Sequence, residues 1–357
     1  MESTGAMQFL VKHGYIYVWL NWISRQSRTS IKESVIMQRR SFFWLLFLGI
    51  ALTIYSCKDK STDVQRVRFG LISDVHLPTM HDSEHRIQTF IDSMRLAKPD
   101  FLIELGDLVT PAPQYNPLYA IWENYPGERY SVIGNHEMDG GYGLEQVLEH
   151  RKLEQSYYHF EKNGFHFIVL DGNDKRTPEE TGYREYIGPV QQEWLKSKLE
   201  GLEGSIIIFS HQSIGPIGSM HNGAEIRQLL EAHNKDNERS RIVACFNGHL
   251  HYDDARQVNG IWYIHVNSAA YFWMGEEYAH IRYSEEVDRD FRWIKYTAPY
   301  RDPLFAVVEV SSDGEISIHG KQSEYVGPSP WELGYPERNR ESIRPAISHR
   351  KLRFDPL

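Results

Sequence analysis

From Val67 onward the chain alternates short apolar runs with amphipathic stretches, the pattern of strands and helices within one folded unit. VRFGLIS (67–73), DFLIEL (100–105) and RYSVIG (129–134) read as strands. Between the first two, SEHRIQTFIDSMRLA (83–97) places Ile87, Phe90, Ile91 and Met94 at the spacing of one helical face. YYHFEKNGFHFIVLD (157–171) reads as two strands joined by the turn EKNG. GPVQQEWLKSKLEG (188–201) reads as a helix, with Pro189 tolerated in its first turn and Gly201 at its end. SIIIFS (205–210) is a strand and GAEIRQLLEAH (223–233) a helix, after which RIVACFNG, GIWYIHVNS, FAVVEVS and EISIHG supply strands with fewer helices between them. Alternating strand and helix, passing to strand-rich sequence, predicts an α/β core with mixed sheets. No internal repeat of fixed period is present. SEEVDRDFRWIKYTAPYRDP (284–303) and the tail after Gln322, rich in Pro, Gly and charge, read as surface excursions.

Several apolar runs stop on polar clusters: Asp74 and His76 in SDVH, Asp107 in LGD, Asn135 and His136 in GNHE, His211 in SHQ, and His249 and His251 in GHLH. In α/β sheets, ligands gather at the carboxyl ends of strands because the loops converge there. Taken singly, an Asp or Asn at a strand end serves as a turn or cap, and a lone His as a core or surface residue. Together, oxygen and nitrogen donors with Gly nearby point to metal. Imidazole, carboxylate and amide without thiolate suit Mn, Fe or Zn and leave room for a bound water. Two metals about 3.5–4 Å apart can share a carboxylate and a bridging hydroxide that attacks phosphorus.

Composition narrows this further. With 41% hydrophobic and 13% aromatic residues in 357, the chain can bury one large core or two modest ones. A net charge of -9 without a long basic block predicts no nucleic-acid-binding surface, so an anionic substrate needs local positive charge such as metal ions. The 17 histidines supply ligands. The two cysteines, Cys57 and Cys245, cannot build a disulfide framework or a thiolate zinc site, and Cys245 reads as a small core residue.

The order DxH, GD, GNHE, H, GHxH resembles the calcineurin-like metallophosphoesterases over roughly Val67 to Gly320. The resemblance implies two packed mixed β-sheets flanked by helices, a four-layer αββα sandwich. It assigns one metal to Asp74, His76, Asp107 and His251, and the other to Asp107, Asn135, His211 and His249. Asp107 bridges, and His136 faces the substrate, stabilising phosphoryl charge and protonating the leaving oxygen. The strand is expected to end at Asn135, with Gly134 allowing a sharp turn. GDLVTP offers Thr110 where the family often has an acidic or amide residue, which puts a supporting contact in doubt. Glu137 reads equally as a supporting group or a solvated loop carboxylate.

The implied reaction is hydrolysis of a phosphodiester or pyrophosphate of a small, nucleotide-like substrate, with phosphomonoester hydrolysis, or a catalytically weak surface binding protein, as alternatives. SYYHFEKNGFHFIVLDGND and NGAEIRQLLEAH look like the branch of cyclic-nucleotide phosphodiesterases and manganese-dependent ADP-ribose/CDP-alcohol diphosphatases. Candidate substrate-wall residues are Asn222, Tyr252, Tyr271 and Trp273, with Phe272, Met220 and His221 beside them; core or a hydrophobic lid is the favoured alternative for the aromatics.

Upstream, MQRRSFFWLLFLGIALTIYSC (37–57) has Arg39 and Arg40 before an apolar stretch shorter than a membrane-spanning helix needs, which predicts a signal peptide. IYSC resembles a bacterial lipobox, with the bulky Tyr55 as a departure; lipidation of Cys57 would place an extracytoplasmic domain on a membrane, and an uncleaved signal anchor is the alternative. The expected division is 1–36 as an upstream mis-start or extension, 37–57 signal peptide, 58–66 tether, 67–320 the metallophosphoesterase domain and 321–357 a C-terminal tail.

Overall fold

The computed structural model describes residues 64–357, so the signal-peptide and Cys57 expectations lie outside the described residues. Parallel strands β1 (Arg66–Ile72), β2 (Phe101–Glu104) and β3 (Glu128–Ser131) form half of a six-stranded sheet. The second sheet, also six-stranded, contains β4 (Tyr158–Lys162), β5 (Phe165–Val169), β6 (Gly204–Ser210), β7 (Ser240–Asn247), β8 (Asp254–Val258) and β9 (Ile261–His265) in the order β4-β5-β6-β7-β9-β8. Its central strands are parallel, and an antiparallel strand closes each edge. A short ribbon pairs β10 (Tyr271–Trp273) with β11 (Thr297–Pro299). The chain then returns to the first sheet through β12 (Ala306–Ser311), β13 (Glu315–His319) and β14 (Arg350–Arg353), giving the order β14-β13-β12-β1-β2-β3.

The sheets pack face to face through aromatic residues: Phe69 and Phe101 meet Phe167 edge-on, with ring centres 6.0 and 5.0 Å apart. Helices cover the outer faces. α1 (Ser83–Ala97) buries Ile87, Phe90, Ile91 and Met94 with Trp122 of α2 (Asn116–Glu123) against the first sheet. α3 (Leu144–Arg151) follows the GNHE segment and carries Arg151 into the interior. α4 (Pro189–Glu200) and α5 (Gly223–Asp236) bury Leu195, Leu199, Ile226 and Leu230 against the second sheet. Pro189 sits in the first turn of α4 and Gly201 caps its end, as expected. Cys245 is buried in this layer. The expected four-layer arrangement is therefore present.

The two segments read as surface excursions pack differently. Residues 284–303 contain a short helix, α6 (Glu285–Asp290), then β11, and bury Ile294, Ala298 and Tyr300. The expected tail, 321–357, supplies β14 and places Ile343, Ile347, Leu352 and Phe354 in the inter-sheet core. Asp253, almost wholly buried, holds this segment through Arg344 at 2.7 Å and Arg350 at 2.8 Å, and accepts the Ser348 hydroxyl at 2.6 Å. The apolar residues here follow no regular period, so neither strand nor helix periodicity revealed them.

Candidate metal centre

The polar clusters all lie just beyond the C-terminal ends of β1, β2, β3, β6 and β7. Hydrogen bonds zip their loops together: Asp74 N donates to Gly106 O at 3.1 Å and His76 N to Asp107 O at 2.9 Å. Asp74, His76, Asp107, His249 and His251 have φ values of 54, 57, 55, 67 and 55°, in the left-handed region that L-residues avoid. Each such conformation costs on the order of 1–3 kcal/mol and persists only where its surroundings enforce it. Here the backbone turns several donor side chains toward one point.

Two clusters result, and a third group, His76, Asp107 and His136, overlaps both. Asp74 Oδ1 lies 3.2 Å from His251 Nε2 and 3.5 Å from His76 Nε2, and those two ring nitrogens are 3.0 Å apart. Asp107 Oδ2 lies 3.0 Å from His211 Nε2, which is 3.3 Å from His249 Nδ1. Asp107 Oδ2 is also 3.9 Å from His76 Nε2, so its carboxylate stands between the clusters. Asp74 Oδ1 and both amide atoms of Asn135 are buried without a hydrogen-bond partner among the described residues. Donors that converge with buried polar atoms left unpaired fit metal ions.

A surrounding layer fixes these donors. His211 Nδ1–H donates to Leu105 O at 2.8 Å and His251 Nδ1–H to Tyr271 O at 2.7 Å, leaving each Nε2 lone pair directed inward. His249 turns Nε2 to Glu185 Oε1 at 2.9 Å. Glu137 is wholly buried and accepts from the backbone N–H of Asp107, Leu108 and Gly134 at 3.0, 2.8 and 2.9 Å, and from Arg151 at 2.7 Å. It is thus a supporting group, not a solvated loop carboxylate. Burial opposes charge on Asp107, but His211 and His136 outweigh it and hold the carboxyl far below its usual range. Burial pushes His76 down to about 4, leaving a neutral imidazole suited to a metal.

The GNHE segment corrects two expectations. β3 ends at Ser131, and Val132 and Ile133 continue without strand pairing before Asn135. Gly134 does not adopt a positive φ; a Cβ there would strike the Asp107 carboxylate and Glu137, so glycine is required for close approach. His136 N donates to Asp107 Oδ1 at 2.8 Å, while its ring Nδ1 lies 2.6 Å from Asp139 Oδ2 and 3.1 Å from the Tyr183 hydroxyl. Asp139, three residues after His136, thus supplies a carboxylate to the His136 ring that the sequence analysis did not assign.

The model of calcineurin-like phosphoesterases matches residues 67–253, more than half of the chain, including each of these clusters. The chain belongs to the calcineurin-like phosphoesterase family. Its expected character, a metal-dependent phosphoesterase, follows from that membership. The crystal structure of a dimetal phosphatase from Danio rerio superposes with a TM-score of 0.52 at 14% identity, covering 74% of this chain and 99% of that one, and shares the fold. A purple acid phosphatase from yellow lupin (Lupinus luteus) seeds is 15% identical with a TM-score of 0.45, covering 72% of this chain and 51% of that one. Comparison with curated proteins finds no match.

As in a phosphoesterase with a small substrate, the metal centre opens into a cavity of about 820 Å³, which His136 also lines. Alternation along β10 points Tyr271 and Trp273 into the cavity and Phe272 into the core; Tyr271 stacks on His76 with ring centres 5.0 Å apart. Tyr252 and Asn222 do not line it. Tyr252 packs on the inter-sheet core and accepts from Asn339 at 3.3 Å, while the buried Asn222 amide bonds both the N–H and the C=O of Ile187. Met220 is likewise core. Cavity residues that the sequence reading missed include Asp139, Tyr183, Arg292 and Trp293. Asp139 was accessible from its spacing to His136; the others come from loops without a pattern of their own.

Proposed function

We propose that this phosphoesterase hydrolyses a phosphodiester or pyrophosphate of a small, nucleotide-like substrate with two metal ions. The observation that carries the reading is the convergence of the strand-end donors, with left-handed backbone at several of them and unpaired buried atoms on Asp74 and Asn135. Asp74, His76, Asp107 and His251 would hold one ion; Asp107, Asn135, His211 and His249 would hold the other. Bound there, the ions supply an acidified water and positive charge for the phosphoryl oxygens. His136 projects at the cavity wall with Asp139 on Nδ1; burial opposes charge on the ring, but Asp107 and Asp139 outweigh it and favour the protonated form, which would stabilise phosphoryl charge and give a proton to the leaving oxygen. Tyr271 and Trp273 offer rings to the substrate's non-reacting part.

The chain stripped of metal and reloaded separately with Mn, Fe or Zn is the test, assayed on bis-p-nitrophenyl phosphate, p-nitrophenyl phosphate, cyclic AMP and ADP-ribose. A diester or pyrophosphate should exceed the monoester in kcat/KM by about tenfold or more. Bound metal without turnover on any of them overturns the reading in favour of a binding protein. We further propose that residues 37–57 are a signal peptide, that 58–66 tether the domain, and that Cys57 carries a lipid on the extracytoplasmic side of a bacterial membrane, as the sequence pattern suggests. Mass spectrometry of the mature protein should find a diacylglyceryl Cys57 at its N-terminus; a chain still beginning upstream of Met37 contradicts this.

A further inference from the structure

The cavity holds more than the phosphoryl group needs. Its volume of about 820 Å³ is that of a site for a whole small molecule. On the side of β10 and β11, the segment after α6 brings Arg292 and Trp293 to the cavity wall beside Trp273. The Arg292 guanidinium lies over the Trp293 ring, 4.6 Å from its centre, and Tyr296 bridges the two tryptophans with ring centres 6.1 Å from Trp273 and 5.9 Å from Trp293. Trp273 and Trp293 remain 44% and 40% exposed, large for tryptophans held in an aromatic cluster.

Among the described residues, Arg292 is the only Lys or Arg lining this cavity. Among the described residues no carboxylate lies within 4.0 Å of its guanidinium, whereas the arginines and lysines around it on α6 and after it, Arg289 and Lys295, each face an Asp. A guanidinium held on an aromatic face and directed to a cavity without a counter-ion offers its fork of N–H donors to an anion that arrives with the substrate. The metal centre cannot be the source of this demand, since it provides its own charge for the scissile group.

We infer that Arg292, seated on Trp293, anchors a second anionic group of the substrate, distinct from the phosphoryl group at the metals, while a planar ring rests on Trp273. The substrate class is then a nucleotide with at least two anionic groups, such as a nucleoside diphosphate derivative, rather than a simple monoester. This rests on the proposed reaction at the same site.

Calorimetric titration of the full chain loaded with Mn(II) tests it without turnover. The probes are adenosine 5′-(α,β-methylene)diphosphate, which resists hydrolysis, AMP, and ring-free methylenediphosphonate. The methylene diphosphate nucleotide should bind about tenfold or more tighter than AMP, and Arg292→Gln should bring that ratio to about one, with Arg292→Lys between. Trp273→Leu should weaken the nucleotide by about fivefold or more and leave methylenediphosphonate unmoved. Equal binding of the two nucleotides by the unaltered chain, or a ratio that survives Arg292→Gln, overturns the anchor; indifference of the nucleotide to Trp273→Leu overturns the ring contact. Hydrolysis of bis-p-nitrophenyl phosphate by the unaltered chain is recorded alongside. Its absence with the binding ratio intact counts against the reaction, and its presence with the ratio lost counts against the anchor alone.

Discussion

Asp107 and His136 have separable tasks, although the backbone of His136 is bonded to the Asp107 carboxylate. Asp107 reaches both clusters, so Asp107→Asn removes the charge that two ions would share; metal content and turnover should fall together. The His136 ring meets His76 edge-on, with ring centres 5.1 Å apart, and turns Nδ1 to Asp139 and the Tyr183 hydroxyl, so it borders the ligands without being assigned to either ion. His136→Ala should keep its metal, measured by atomic emission on the purified chain, and lose about 10²–10⁴ in kcat. Full activity of that variant on a substrate with a poor leaving group rejects the role of proton donor. Glu137 shows why the neighbouring carboxylate is different in kind: three backbone N–H groups and Arg151 spend its lone pairs on shaping the loops that carry Asp107 and Gly134.

At the scale of elements, the last strands are tied in by charge as well as by apolar burial. Asp253 lies just beyond the GHLH loop and binds Arg344, from the segment leading to β14, and Arg350, its first residue. Asp253→Ala leaves both arginines without that partner, and because both reach solvent the cost should be about 2 kcal/mol, below that of stranding a fully buried charge. Urea titration of the chain measures it; a midpoint within error of the unaltered protein would show that β14 is held by its pairing with β13 and its apolar residues without help from Asp253. β7 and β9 carry a second test. Asn247 Nδ2 donates to His265 Nδ1 at 2.9 Å, which requires a neutral ring, and burial pushes His265 from 6.5 down to about 4. The unfolded chain takes up the proton first as pH falls, so this contribution is complete above about 6.5 and is lost progressively toward about 4. Replacing His265 with Gln should flatten the pH dependence of stability across that window by on the order of 1 kcal/mol. An unchanged slope contradicts a neutral buried ring.

For the whole molecule, the left-handed residues and unpaired buried atoms of the metal centre are a cost that the two-sheet core sustains. Ions that bind the folded state and not the unfolded chain would offset it. Chelation should therefore lower the Tm, and re-addition of metal should raise it with concentration, with free ligand at about a hundredfold over Kd contributing about 2.7 kcal/mol. Differential scanning calorimetry with and without chelator measures this, and a Tm indifferent to metal would mean that the donors do not hold an ion in the folded chain.

The sequence by itself determined the strands and helices with strong periodicity, such as Ser83–Ala97, and the order of strand-end donors, because both signals are local: a helical face repeats within one segment, and each ligand follows its own apolar run. Only the tertiary structure decided which side chains share the cavity. Asn222 and Tyr252 stand close in sequence to ligands yet serve packing, while Tyr183, Glu185, Arg292 and Trp293, from loops with no periodic mark, reach the site. Nor did composition reveal that 321–357 completes a sheet, since its apolar residues find their period only against partners far away in the chain. Contacts between distant segments depend on how sheets pair and loops converge, and no short window of residues carries that information.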